Sequence, residues 1–262
     1  MSRRPSRRPA RVLAPALAAA TLLTTAGCSD SGGGAPDVAA SPGAEKSPAA
    51  RLTEAGARAA LITEADIEDD WAQVADAAGW RDRLLIGKVD VADLLTAKAN
   101  AVDCQKLLDA LYGDDLLGKP SGASALRGFE QGDSRLLHQV AAYDRTDLDA
   151  SLAWLKTLPV KCDQFTATGD DGGQRTVQVI ESPVPDSGDA RQGLRVTVKD
   201  GTSTLTLDVA AVRVGTDAIT VTAGGLDGDE DDSVEQAVRQ GTQRLEDVQA
   251  GRTPTANPGQ FD

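Results

Sequence analysis

The sequence predicts an α+β domain: a largely antiparallel sheet of about six strands, with helices packed on one face. Three observations predict it. Apolar residues recur at helical spacing in the segments 51–79, 100–112, 146–158 and 233–248. Six other runs alternate apolar and polar residues: 125–131, 134–143, 175–181, 194–199, 202–214 and 218–222. Neighbouring runs are joined by turn signals such as Gly132-Asp133, Asp200-Gly201 and Gly215-Thr216-Asp217, not by crossover helices. Hairpin connections make antiparallel pairs.

The elements follow in order. Residues 51–79 read as helical, with a second helix start at Thr63-Glu64-Ala65-Asp66 and an outward acidic stretch from Asp66 to Asp70. Ile67, Trp71 and Val74 recur on its other side. Residues 80–98 support no assignment. From Asn100 to Tyr112, Cys104, Leu107, Leu108 and Leu111 share one helical face, and Gly113 is the expected stop. After the first hairpin, Thr146 begins a helix whose leucines 148, 152, 155 and 158 run to Pro159. Thr166 to Gly173 reads as a polar loop, followed by the four-strand run, with a Pro/Gly/Asp-rich loop over 183–193. The acids Asp227 to Asp232 precede a last helix with Ser233-x-x-Gln236 at capping-box spacing and an apolar stripe of Val234, Val238, Leu245 and Val248. Gly251 and Pro254 end it, leaving 253–262 as a loose tail.

The N-terminus carries a different signal. Arg3, Arg4, Arg7, Arg8 and Arg11 form a basic region, and Val12–Leu23 is an apolar run of twelve residues. A bilayer span needs about 20 residues, so this run has the length of a secretory signal. Thr25-Ala26-Gly27-Cys28 resembles the lipobox of bacterial lipoproteins, with Thr25 where the usual pattern has Leu. That resemblance implies cleavage before Cys28 and acylation of its thiol. Ordinary secretion, with Cys28 lost or free, is the alternative. Ser29 to Ala50 is rich in Ser, Gly, Ala and Pro, as a flexible tether should be. The expected organisation is signal peptide 1–27, tether 28–50, folded domain 51–252 and tail 253–262, with the protein held by lipid on the extracytoplasmic side of the cell membrane. The export route, Sec or twin-arginine, stays open.

The chain of 262 residues has a formal net charge of −13, and removing the five signal arginines takes it to −18. Such a chain is not expected to seek nucleic acid or an anionic membrane surface, since both would repel it. With Cys28 acylated, Cys104 and Cys162 remain. In an exported domain one disulfide is expected. A reduced buried pair and a metal site are the alternatives; the metal reading is poor, because His138 is the single histidine and no CxxC or HxxxH spacing occurs.

No catalytic set is apparent. Gly122-Ala123-Ser124-Ala125-Leu126 lacks the last glycine of a nucleophile elbow. His138 lies mid-strand, where a histidine is more often packed or exposed than catalytic. Asp227-Gly228-Asp229-Glu230-Asp231 resembles a calcium loop, but Asp232 stands at the glycine position and Val238 at that of the closing Glu; a solvated, helix-capping loop is the better reading. Neither phosphate-cradling pattern occurs, and no cofactor is implied. Trp71, Trp80 and Trp154 sit where core packing is the simpler role.

Leu61-Ile62-Thr63-Glu64-Ala65-Asp66-Ile67, a helix carrying Asp103-Cys104, strands ending near Ala141-Ala142-Tyr143, a helix leading to Lys161-Cys162, and Val209-Ala210-Ala211-Val212-Arg213-Val214-Gly215 with a closing helix together form a pattern. It resembles the extracellular sensor domain of PknH-type actinobacterial receptor kinases and their free-standing lipoprotein relatives, over nearly all of 51–250. The resemblance implies an antiparallel sheet with packed helices, disulfide stapling and a ligand-binding cleft, and it identifies no ligand contacts. Kinase members carry more than one disulfide, whereas this chain can form only Cys104–Cys162. The expected function is therefore that of a membrane-anchored, non-enzymatic, sensor-like binding domain. Its partner would be a small-molecule or envelope ligand, or another protein. The alternative is a carrier of lipid or another apolar ligand across the envelope. A carboxylate-based hydrolase is a third reading, requiring two acids facing each other in a cleft.

Overall fold

Alternation in the strand Ser203–Val214 explains most of the architecture. Leu205, Leu207, Val209 and Ala211 are buried in one apolar cluster, and Ala210, Val212 and Val214 in another. Successive residues of a strand point to opposite faces, so this strand is apolar on both sides and has to be covered on both. The computed structural model describes residues 51–67, 70–78, 85–86, 89–90, 95–170, 172–226 and 231–255.

In chain order the described elements are α1 (Glu54–Ala60), a 3-10 turn (Glu64–Asp66), β1 (Ala72–Gln73), β2 (Leu85–Ile86), β3 (Val89–Asp90), β4 (Lys98–Ala99), α2 (Val102–Gly113), β5 (Ser124–Gln131), β6 (Ser134–Ala142), α3 (Arg145–Lys161), β7 (Gln164–Thr168), β8 (Gln174–Glu181), β9 (Ala190–Asp200), β10 (Ser203–Val214), β11 (Asp217–Leu226) and α4 (Asp231–Gln249). Nine strands form one sheet in the order β1-β5-β6-β11-β10-β9-β8-β7-β4, and β2 pairs with β3 alone. All pairings are antiparallel. α2 and α3 pack on one face, with Leu107, Leu108, Leu148 and Leu155 against Val177, Val196 and Leu205. α1 and α4 pack on the other, with Ala57, Val238 and Leu245 in one cluster with Phe129, Val212 and Ile219.

The sheet thus has nine strands and not about six, and its helices cover both faces and not one. Three missed strands account for the count. β1 and β4 are two residues long, too short to alternate visibly. β7 falls partly in the stretch read as polar loop; of its five residues only Ala167 is buried. Helices on both faces follow from β10 and β11, which are buried along almost their whole length.

Local chemistry corrects other expectations. The segment 51–79 holds one short helix, not two: Thr63 and Asp66 do form a capping box, but the chain leaves helical geometry at Ile67 (φ −131°, ψ 171°). Asp66, expected outside, is fully buried. α2 ends at a left-handed Asp114 (φ 49°), one residue beyond the expected glycine. α3 is capped by Asp144, whose Oδ1 accepts from the Thr146 and Asp147 amides, and runs through Pro159 to Lys161. A proline in the last turn removes one backbone hydrogen bond there. α4 begins at Asp231, so Ser233 lies inside its first turn and its hydroxyl accepts from Trp71 Nε1 (3.3 Å). Asp200-Gly201 turns as expected, with Gly201 at φ 56° and Ser203 opposite Asp200. No described helix is long and apolar enough to cross a membrane.

Candidate functional site

The histidine decides much of what this fold can do. β6 carries His138 between Leu136 and Val140 on the α1/α4 face, where it is fully buried. A Cβ at Gly241 of α4 would overlap His138 Nε2, so glycine is what lets the helix lie this close. Neither ring nitrogen has a hydrogen-bond partner among the described residues. Burial, with the positive charges of Arg127 and Arg244 adding to it, pushes the imidazole down to a pKa of about 3. It is neutral at working pH, and its nitrogens lie beneath the helix.

Around it lies a set of charged side chains that strap the start of the domain to the sheet. Arg244 Nη1 pairs with Asp66 Oδ2 at 3.2 Å. Its Nε and Nη2 donate to the carbonyls of Leu61 (2.9 Å) and Ala59 (3.1 Å). Arg127 Nη1 donates to the carbonyl of Ile62 (2.7 Å). Asp66 Oδ2 also accepts from the amide and hydroxyl of Thr63, both at 2.7 Å. Three consecutive structural problems are solved at once: the open carbonyls after a short helix, a buried carboxylate and a buried guanidinium.

The opposite face is organised by Cys104 and Cys162, which form a disulfide with Cα atoms 5.6 Å apart. It ties the start of α2 to the end of α3. Outside it, Asp103 accepts from Trp154 Nε1 (3.1 Å) and Lys161 Nζ (2.8 Å). The lysine hydrogen bond is the main reason its carboxyl titrates below the usual range. Lys106 Nζ stands 3.9 Å from the centre of the Trp154 ring, a cation–π contact. Trp71 packs in the core, as expected, whereas Trp154 is half-buried.

Among the described residues, hollows flank the α2/α3 layer. An open groove of about 700 Å³ lies between Lys156 of α3 and the segment 181–193, with Glu181, Val184 and Arg191 on its walls. Gly193 is needed there, because a Cβ would strike the carbonyl of Ser182 and the side chain of Val184. Arg191, at the start of β9, pairs with Asp186 of the preceding loop at 2.7 Å. A second groove of about 570 Å³ runs along the outside of α2, past Val102, Gln105 and Lys106. A gap of only about 10 Å³ lies between the end of α2 and the sheet, lined by Leu111, Leu126, Leu137 and Thr222. Ligand pockets run to roughly 300–1,000 Å³, so the first two have the size for a small molecule and the third falls below it. A carrier of acyl chains would use apolar space between sheet and helices, and there the leucines and valines pack against one another.

Of the residues singled out in the sequence, Cys104 and Cys162 come together, and His138 goes to the core. Cys28, Trp80 and the acids Asp227 to Glu230 lie outside the described residues. Among the described residues, no three metal-ligating side chains converge. Sequence reasoning missed the groove at Lys156. Its wall is the loop 183–193, legible only as turn-rich, and its neighbours on α3 gave no sign that they face that loop.

No protein family matches the chain, and no curated protein does. Among solved structures, the extracellular domain of PknH from Mycobacterium tuberculosis is similar over 78% of this chain and 100% of that one, with 12% identity and a TM-score of 0.43. An uncharacterised protein from Mycobacterium smegmatis, an Rv0999 ortholog, is similar over 48% of this chain and 64% of that one, with 17% identity and a TM-score of 0.29.

Proposed function

We propose that this protein is a lipid-anchored, extracytoplasmic binding protein with a sensor-like, non-enzymatic domain that takes a small envelope ligand. The observation that carries the reading is the pairing of Cys104 with Cys162. Of the three cysteines in the chain it leaves Cys28, at the end of the export signal, as the thiol available for acylation. A structural disulfide also belongs to an oxidising compartment. The non-enzymatic part is supported by the burial of the single histidine, which takes the commonest general base out of reach of every groove described. The groove at Lys156, Glu181 and Arg191 supplies charges of both signs beside the apolar Val184, a lining suited to a polar or zwitterionic small molecule.

Two measurements test it. In the native host, wild type should sediment with membranes and Cys28→Ser should be released; equal retention of both would overturn the anchor. Native mass spectrometry of Ser29–Asp262 from an oxidising compartment should show a bound small molecule that Arg191→Ala loses. A bound species unaffected by that change would overturn the groove as the site.

A further inference from the structure

The groove at Lys156 lies where one strand outruns its neighbour. β8 ends at Glu181, opposite Leu194, while β9 reaches back to Ala190. Over that extension β9 keeps β10 on one side, with Gln192 opposite Ala211 and Ala190 opposite Arg213, and has lost β8 on the other. Main-chain groups of successive residues in an antiparallel strand point alternately to its two neighbours. The Gly193 carbonyl accepts from the Ser182 amide (3.2 Å), so Gly193 faces the β8 side. Arg191, two residues away, faces the same side, where the chain has turned off at Pro183. Its main-chain N–H and C=O have no hydrogen-bond partner among the described residues, and the groove that Arg191 lines runs along this edge. Two side chains of opposite charge stand at the same groove. Lys156 of α3 and Glu181 of β8 are exposed, and neither forms an ion pair among the described residues. Arg191, by contrast, is held by Asp186.

We propose that the groove binds a short extended peptide with free ends, which takes the place that β8 vacates beside β9. The proposal rests on the reading of this groove as the ligand site and names the class of ligand. An N–H and a C=O left open on one strand residue are what one residue of an added antiparallel strand satisfies, by two hydrogen bonds. The peptide's carboxylate meets Lys156 and its ammonium meets Glu181, so each free charge finds a partner. The occupant is short because the open edge is short. Asp189, the next residue of this parity, already gives its amide to the Arg213 carbonyl (2.7 Å).

The test titrates trialanine with free ends into Ser29–Asp262 carrying its disulfide, read by NMR at the Arg191 amide. Trialanine should bind, shift that amide and slow its hydrogen exchange. Methylating the central nitrogen of the peptide removes the donor to the Arg191 carbonyl and should weaken binding about tenfold, because the carbonyl is then covered and unpaired. Amidating the peptide's C-terminus should weaken binding as much as Lys156→Gln does with the free acid, and the two changes together should weaken it no further. Lys156 is exposed, so that variant should melt as wild type does. No binding at millimolar trialanine, an unchanged Arg191 amide, or methylated or amidated peptides that bind as well as trialanine would overturn the peptide assignment. Failure of the groove itself shows separately, as a co-purified molecule that Arg191→Ala does not lose. A molecule that Arg191→Ala does lose, without trialanine binding, keeps the groove and rejects the peptide.

Discussion

Lowering the pH should destabilise this domain through His138. In the unfolded chain its imidazole takes a proton near 6.5; in the fold, burial beneath α4 and the charges of Arg127 and Arg244 delay protonation to about pH 3. The unfolded state therefore binds more protons across that window. Stability is at its full value above pH 6.5 and falls as the pH drops from 6.5 towards 3. At pH 4.5 the histidine lies about two units below its unfolded pKa, and each unit is worth 1.36 kcal/mol, so the loss is about 3 kcal/mol. Against a typical domain stability of roughly 5–15 kcal/mol that is a large fraction. Carboxylates titrate in the same range, so the comparison needs a variant. His138→Leu removes the titration and also two buried ring nitrogens without hydrogen-bond partners, so at pH 7.5 it should cost little. Urea unfolding of both proteins from pH 7.5 to 4.5 measures the difference. Wild type should lose about 3 kcal/mol more than the variant. Parallel pH curves would refute the argument and would mean that water reaches the ring.

The other predictions are independent of it. Reducing Cys104–Cys162, or replacing both by serine, opens a loop with a sequence separation of 58 and should lower stability by about 4 kcal/mol on the chain-entropy estimate, read from urea midpoints. Asp66→Ala leaves Arg244 buried without its carboxylate and should cost about 3–5 kcal/mol, a loss that Asp70→Ala at the exposed end of the same stretch should not share. Asp217 is buried, which raises its pKa, while the hydrogen bond from Gln249 (2.8 Å) opposes the rise. A raised carboxyl pKa favours the fold at low pH and weighs against it as pH rises, so Asp217→Asn should raise the melting temperature at pH 7.5 and lose that advantage in acid.

Much of the architecture was legible because strands and hairpins leave local marks. The alternation of Leu205, Leu207 and Val209 and the Asp200-Gly201 turn locate β9 and β10 from neighbouring residues alone. The faces of α2 and α3 were equally plain in their leucine spacing. What escaped was set by distant partners. Asp66 lies among acids, and nothing within ten residues says it is buried; its reason is Arg244, far along the chain. β7 has no apolar run because β8 and β4 supply its pairing, while one inward alanine suffices for its packing. Helices on both faces required knowing that Ala210, Val212 and Val214 of β10 also meet a helix, and small neighbours such as Ala210 and Ala211 hide that.

The two faces are held together differently, and the difference bears on where the domain would open first. On the α1/α4 face, Arg244 and Arg127 fasten residues 59–62, at the start of the domain, to helix and sheet. The start of the domain is thus held to the sheet twice, by these two guanidinium groups and by the packing of Leu52, Ala57 and Ala60 of the same segment. On the other face, the disulfide fixes α2 and α3 to each other, while none of the loop residues 182–189 beside them is buried, and polar ties such as Asp189 to the Arg213 carbonyl and the Gly215 amide hold the loop. Local opening follows the density of buried contacts and ties. The segment best placed to move when something enters the groove is thus that loop, with Arg191 at its base, and not the anchored end. A binding event would be felt as ordering of 182–189 against a rigid helix pair, and hydrogen exchange should report it there first, with residues 59–67 unchanged.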